Sequence, residues 1–315
     1  MLKLGLEIGG AVAGMTGFVF SVIIYRRQES HLKRLQEVAI STHAITEGLF
    51  GNKHKAKFKL NFFGLAEGSL KRFKCFFPAC HDSRPMSMLV SGDYHALHVL
   101  QSLLGSDKLD LCQLYAGQPT LKLNPEDPED LIYLCTPQVN DALRKIAPML
   151  VLTDSSTTDQ KPAFGEVVLP CWFANKTINK TKVQKVIWIR DLEPMESPAE
   201  YAYLEAADRE DHASPYVHPR LLIDDYAIVL RLTIETRKHI VIAGIHQYGT
   251  WIGAEFLSRM ALDSEFNATL AVEERDFLAV IVGTFNTAQY NVTHCGIHSN
   301  LLWILKGGVW VQNAH

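Results

Sequence analysis

The stretch DYAIVLRLTIETRKHIVIAGIHQYGTWIGAEFLSRM, residues 225–260, decides the fold. Tyr226–Thr233 is a run of β-branched and apolar residues and reads as a strand. Arg237–Lys238 reads as a turn, and His239–Ala243 as a buried strand. Gly244 and Gly249 permit close backbone approach, and Thr250 is placed to cap a helix that begins near Trp251. Gly253 and Ala254 let that helix lie tightly on the sheet. A strand, a glycine-bearing turn and a helix N-terminus together make a physically reasonable anion site. The motif is neither the dinucleotide G-x-G-x-x-G nor a phosphate loop ending in G-K-[ST].

Upstream, the chain repeats strand–loop–helix units. Arg72–Ala79 reads as a first strand. Met86–Val90 reads as another, followed by a turn at Ser91, Gly92, Asp93 and Tyr94, with Asp93 as N-cap of an amphipathic helix His95–Leu104. Leu111–Tyr115 and Leu131–Cys135 read as further strands. After them come the loop Thr136–Asn140 and a helix Asp141–Ile146. Such alternation predicts an α/β domain with a mostly parallel sheet and helices on both faces. Residues 161–190 read as an antiparallel β insertion, and 196–211 as an acidic helical one. Phe277–Thr284, Leu301–Leu305 and Gly307–Val311 supply late strands, the last two as a hairpin. In parallel sheets ligands gather at the carboxyl ends of strands. The candidate ligand set is therefore Ser91, Gly92, Asp93, Tyr94, Thr136, Asn140, Gly244, His246, Tyr248, Gly249 and Thr250.

The N-terminal region has a different character. Ile8–Tyr25 is 18 residues without a charge, followed by Arg26, Arg27, Lys33 and Arg34. At ~1.5 Å per residue this run, with its flanks, matches a hydrocarbon core of ~30 Å. A cleaved secretory signal fits poorly, because Glu7 precedes the run and no A-x-A site follows it. The basic flank places the downstream chain in the cytoplasm, giving a single span with its N-terminus outside. Glu7, Gly10, Gly14, Gly17 and Ser21 fall on one helical stripe, with Gly10 and Gly14 forming a G-x-x-x-G pair. That stripe fits either close helix packing or a narrow pore lined by those five residues. The 3-4 spacing continues through Leu35, Val38, Ile45 and Leu49, a coiled-coil signal. The expected organisation is a transmembrane helix over 1–27, a coiled-coil stalk over 28–52, and a cytosolic ligand-sensing domain over 53–315. Residues 7–49 are expected to form a homo-oligomer, taken as a tetramer.

Charge is uneven along the chain. Residues 26–74 carry a net +7, and residues 75–315 a net −10. The basic part adjoins the expected span, where anionic headgroups attract it. The acidic remainder argues against a broad nucleic-acid-binding surface, though not against one basic pocket. Lys53, Lys55, Lys57 and Lys59 alternate and read as an extended linker or edge strand. Six scattered cysteines with no C-x-x-C read as reduced, mostly buried thiols. The sequons beginning at Asn175, Asn179, Asn267 and Asn291 matter only in a lumenal domain, which the arginine placement opposes. His294, Cys295 and His298, and His95 with His98, have metal-compatible spacing but lack a second ligand pair in sequence. No metal or cofactor is therefore expected. No hydrolase or zinc-protease motif occurs. Asp93, His246 and Glu255 are chemically able to do acid–base work, though the sequence does not bring them together.

DLIYLCTPQVN at 130–140 and DYAIVLRL with HIVIAGIHQYGTWIGAEFL within 225–257 resemble the Rossmann-like nucleotide-sensing domains fused to membrane helices in bacterial anti-phage systems. The whole-chain plan is similar to membrane effectors of the Hailong or nucleotide-signal type. That resemblance implies a bacterial inner-membrane protein whose pore is controlled by a nucleotide or oligonucleotide signal. A membrane-tethered enzyme that processes nucleotides is the alternative. The single glycine in SGDY and the absence of any in TPQVN depart from the glycine-rich first loop of related domains.

Overall fold

The computed structural model describes residues 52–65, 69–79, 91–115, 129–135, 140–146, 151–152, 163–179, 182–190, 201–206, 221–263 and 276–313. The expected span, stalk and pore-lining residues Glu7, Gly10, Gly14, Gly17 and Ser21 lie outside these residues, as do Met86–Val90 and Thr136. Among the described residues no helix is long and apolar enough to cross a membrane. Residues Lys55–His315 form one compact unit.

In chain order the elements are α1 (Asn52–Phe63), β1 (Phe73–Ala79), α2 (Ser91–Leu104), β2 (Leu109–Tyr115), β3 (Asp130–Leu134), α3 (Asp141–Ile146) and β4 (Val151–Leu152). They continue with β5 (Ala163–Phe164), β6 (Val167–Val168), β7 (Cys171–Asn179), β8 (Lys182–Arg190), β9 (Tyr201–Leu204), β10 (Leu222–Ile234) and β11 (Arg237–Gly244). The last are α4 (Gln247–Met260), β12 (Phe277–Asn286), β13 (Asn291–Lys306) and β14 (Val309–Gln312). Eight strands form one mixed sheet in the order β14-β13-β12-β10-β11-β3-β1-β2. β2, β1, β3 and β11 pair in parallel, while β10 through β14 pair antiparallel. Most of its strands therefore point the same way, with β10 and β13 reversed.

Alternation along each strand separates two cores, because successive side chains leave opposite faces of a sheet. On one face Ile132, Leu134, Val229, Ile240 and Ile242 meet Phe58 and Phe62 of α1, Leu97 and Leu100 of α2, and Ile252 and Phe256 of α4. On the other, Leu131, Tyr133, Leu230 and Val241 meet Phe173 of β7, Ile187 of β8 and Leu143 of α3. The second face is thus covered largely by a four-stranded sheet, β4-β7-β8-β9. Helices therefore lie on both faces as expected, but on this one α3 is the one helix among the described residues, and residues 171–190 are long β-rich runs that bury Phe173 and Ile187 against the sheet. The antiparallel insertion itself is present as β7 and β8.

Four local expectations are corrected. The Lys53–Lys59 segment is helical, because Phe58, Phe62 and Phe63 bury on one side of a helix and anchor it. Ser91–Tyr94 is the first turn of α2 and not a preceding turn. Tyr201–Leu204 is a strand, pairing with Ile187–Arg190. The β10–β11 turn falls at Glu235 and Thr236, with Glu235 in the left-handed region (φ 56°).

α1 is fastened by a buried cation. Arg231 of β10 is fully buried, and its guanidinium donates to the carbonyl oxygens of Asn61 and Phe62. It also lies over the rings of Phe62 (6.0 Å) and Phe277 (5.6 Å). A cation at a helix C-terminus satisfies carbonyls that lack intrahelical partners. Arg231→Met is expected to remove the guanidinium donor from both carbonyls, at a cost of about 2–4 kcal/mol. Hydrogen exchange of the 58–63 amides should accelerate selectively; unchanged exchange there would show that the aromatic packing alone holds α1.

Candidate functional site

The site is built where the parallel strands end. β11 runs into Gly244, and the chain turns through Ile245 and His246 into α4. Ile245 N–H donates to the Tyr226 carbonyl (2.9 Å), so the turn is tied to the antiparallel neighbour β10. A Cβ on Gly249 would land on the Tyr226 carbonyl oxygen, with Gly244 Cα 2.8 Å away. A Cβ on Gly244 would strike the backbone of residues 246–250. Both glycines are thus required by the chain's own backbone, not by a ligand.

The helix N-terminus is also occupied. Asp225, fully buried on β10, accepts from Gly249 N–H through Oδ2 (2.6 Å) and from Tyr226 N–H through Oδ1 (2.8 Å). Its Oδ1 lies 3.7 Å from His246 Nδ1. A carboxylate at the positive end of a helix serves the same electrostatic role that a bound phosphate would. The expected anion site at α4 is therefore filled from within the protein. Thr250 is not the cap: α4 starts at Gln247, and the buried Thr250 hydroxyl accepts from Gly244 N–H (3.1 Å).

α2 delivers the second component. Gly92 is packed onto the Gln247 carbonyl, and its N–H lies 3.4 Å from Gln247 Oε1, so the N-termini of α2 and α4 abut. This contact puts Asp93 beside Thr250 and Cys135. Asp93 is only 3 % exposed, and its Oδ1 has no hydrogen-bond partner. Burial pushes its carboxyl up to about 6, against the opposing pull of Cys135, Thr250 and the Lys185 ammonium. Cys135 follows β3 in the left-handed region (φ 72°), an uncommon conformation for a non-glycine residue and a costly one. Thr250 Oγ1 lies 4.0 Å from its thiol, and burial with the nearby Asp93 charge pushes that thiol well up. It is not a ready nucleophile, because the thiolate is the reactive form.

Lys185 comes from β8 in the other layer. Burial holds its ammonium below the usual range, while Cys135, Asp93 and Asp225 act in the opposite direction. A half-buried cation from the second sheet is thus within electrostatic reach of two buried acids at the carboxyl edge of the first.

Of the expected ligand residues, the fold brings together Gly92, Asp93, Gly244, His246, Gly249 and Thr250, with Ser91 at the start of α2. Thr136 lies outside the described residues, and Asn140, Tyr94 and Tyr248 are used differently. Asn140 is buried: it caps α3 by accepting from Leu143 N–H (3.0 Å), and its amide donates to the carbonyls of Phe76 (3.1 Å) and Leu134 (2.7 Å). Tyr94 packs edge-on to His98 (4.3 Å), and Tyr248 stacks on Phe285 (4.1 Å). Glu255 accepts from Trp251 Nε1 (3.3 Å), and burial raises its carboxyl. Sequence reasoning missed Asp225, Cys135 and Lys185 as members. Two signals were present: an acid at the head of an apolar strand, and a cysteine directly after a parallel one.

Among the described residues no group of three or more His, Cys, Asp or Glu side chains is arranged to hold a metal ion. Comparison with known proteins gives no matching family model, curated protein or solved structure.

Proposed function

We propose that the unit Lys55–His315 is the ligand-sensing domain of a membrane effector, gated by a nucleotide or oligonucleotide at the carboxyl-edge cluster. The observation that carries this is the unmet Oδ1 of the buried Asp93, with the Lys185 ammonium near enough to act on its charge. A buried acceptor without a donor costs about 1–3 kcal/mol, and such groups persist where function uses them. The pair suits a ligand that offers a hydrogen-bond donor to Asp93 and an anionic group to Lys185. A nucleotide offers both, through base or ribose and phosphate. Because Asp225 already occupies the α4 N-terminus, the ligand's phosphate belongs with Lys185 and not with the glycine turn.

In this reading residues 1–27 span the bacterial inner membrane and residues 28–52 assemble a homo-oligomeric stalk. Ligand shifts the effector only through different affinities for its two states. The stripe Glu7, Gly10, Gly14, Gly17 and Ser21 then lines the pore or packs the helices.

A second reading, a tethered nucleotide-processing enzyme, is favoured by one observation: a carboxyl held near 6 is matched to general acid–base work near neutrality. The two separate cleanly. Nucleotides, including cyclic and linear dinucleotides, are titrated against the full chain in detergent, and the products are resolved by chromatography. A sensor shows a raised unfolding midpoint with no turnover; at a hundredfold excess over Kd the gain is about 2.7 kcal/mol. Lys185→Gln should abolish most of that shift. Turnover that survives repurification establishes the enzyme, and an unmoved midpoint with every nucleotide removes both readings.

A further inference from the structure

The first turns of α2 and α4 carry a second chemistry besides Asp93 and Thr250. Tyr94 and His95 follow Asp93 on α2, and Tyr248 and Trp251 flank Gly249 and Thr250 on α4. Trp251 is buried, and its indole N–H donates to Glu255 Oε1 (3.3 Å), which holds the plane of the ring. His95 lies flat on that ring, with centroids 4.1 Å apart and planes 11° from parallel. Tyr290, in the turn between β12 and β13, stands edge-on to His95 at 5.5 Å and lies 5.7 Å from Trp251. Near-equal distances from two stacked rings place Tyr290 beside the pair and not over His95. Tyr94 is also edge-on to His95, at 6.0 Å. Phe285, fully buried, packs 5.3 Å from both Trp251 and Tyr290.

The stack thus has an inner ring held by the protein and an outer ring at the surface. His95 and Tyr290 are half-buried, and Tyr94 is 37 % exposed. Packing alone does not select this composition. Where α2 meets the core it uses Leu97, Leu100, Leu103 and Leu104. A leucine over Trp251 would bury more apolar surface than an imidazole and favours the helix more strongly. Burial, and then the neighbouring His98, push His95 down to about 4, so its ring is uncharged near neutrality. Tyr290 is held at φ 55°, a costly conformation for a bulky side chain and one that gathers at binding sites.

We propose that the outer face of His95, flanked by Tyr94 and Tyr290, takes a nucleobase and so continues the stack that Trp251 begins. The proposal rests on the nucleotide reading above for the identity of the ring, while its geometry is independent of Lys185. A flat heterocycle gains from parallel planes, whereas an aliphatic chain has no plane to align. Every base has a π-face, so a platform of this kind discriminates little among bases. Rings already packed on buried neighbours lose little freedom when a ligand stacks on them, and most of the stacking gain is kept.

The full chain in detergent is titrated by calorimetry with AMP, GMP, CMP and UMP, and with ribose 5-phosphate, which lacks the base. The platform predicts that each nucleotide binds about 5- to 150-fold more tightly than ribose 5-phosphate, the range for one base on an aromatic side chain. His95→Leu keeps an apolar cover on Trp251 but removes the flat ring. It should erase that margin and leave the affinity for ribose 5-phosphate unchanged. His95→Phe restores a flat ring and should keep most of the margin. Equal margins in the leucine and phenylalanine variants mean that His95 only packs, and they overturn the proposal. Equal affinity for ribose 5-phosphate and the nucleotides overturns it and leaves the carboxyl-edge reading standing. Binding of none of the five compounds overturns it as well, and an unfolding midpoint that dinucleotides also leave unmoved removes the reading on which it rests.

Discussion

Asp93→Asn is expected to stabilise the protein at pH 8 and to have no such effect at pH 4. In the unfolded chain the Asp93 carboxyl titrates near its ordinary value of ~4; in the folded protein burial raises it to about 6. Below ~4 the group is protonated in both states and adds no penalty. As the pH rises toward 6 the unfolded chain ionises first, so stability falls. Above 6 the full penalty is present, on the order of 3 kcal/mol. Asparagine carries no charge and removes it. Denaturation midpoints of wild type and variant at pH 4, 6 and 8 should therefore diverge with rising pH. Parallel midpoints would mean that Asp93 is not held against its own solvation. A stabilising loss of a buried acid marks a residue kept for something other than stability. Cys135, in its left-handed conformation beside Asp93, fits the same pattern.

Gly249→Val is expected to cost ~3 kcal/mol or more, enough to unfold a marginally stable domain. The new side chain would collide with the Tyr226 carbonyl and the Gly244 backbone, and would displace Asp225 from the Gly249 N–H. Gly253→Ala is the control. Its Cβ would meet Ile242 Cγ2 at 3.0 Å and Ala227 Cβ at 3.3 Å, tight contacts but with side chains and not with backbone atoms. A cost of about 1 kcal/mol is expected there. If Gly249→Val folds with an unchanged midpoint, the turn has room that the geometry denies it. A loss of ligand response in that variant carries no information about the site, because the scaffold fails first.

Residues 225–260 were legible because local pattern and tertiary context agree there. Apolar strands, a glycine turn and an amphipathic helix each have one reading, and the structure places them as β10, β11 and α4. The β13–β14 hairpin was legible for the same reason, with Gly307 and Gly308 at positive φ between its strands. α1 was not, because alternating lysines impose a period of two that hides Phe58, Phe62 and Phe63. Gly92 and Asp93 looked like turn residues. Gly92 is instead where the Gln247 backbone presses on α2, a contact 155 positions away in sequence. Asn140 has the chemistry of a ligand residue and spends it on α3 and two strand ends. Lys185 was visible as part of a basic hairpin, but only the packing of β8 over the first sheet brings its charge within reach of Asp93. Local periodicity thus carried the strands and the position of the carboxyl edge. The membership of the cluster depends on contacts that no short window contains.

Ligand binding at the proposed carboxyl-edge cluster is read by hydrogen exchange of the full chain with and without the nucleotide that most raises its unfolding midpoint. Added protection is expected at residues 91–95, 133–135, 184–187 and 246–251, lost in Lys185→Gln. Protection that appears only elsewhere, for example in α1 or along β13 and β14, would contradict it.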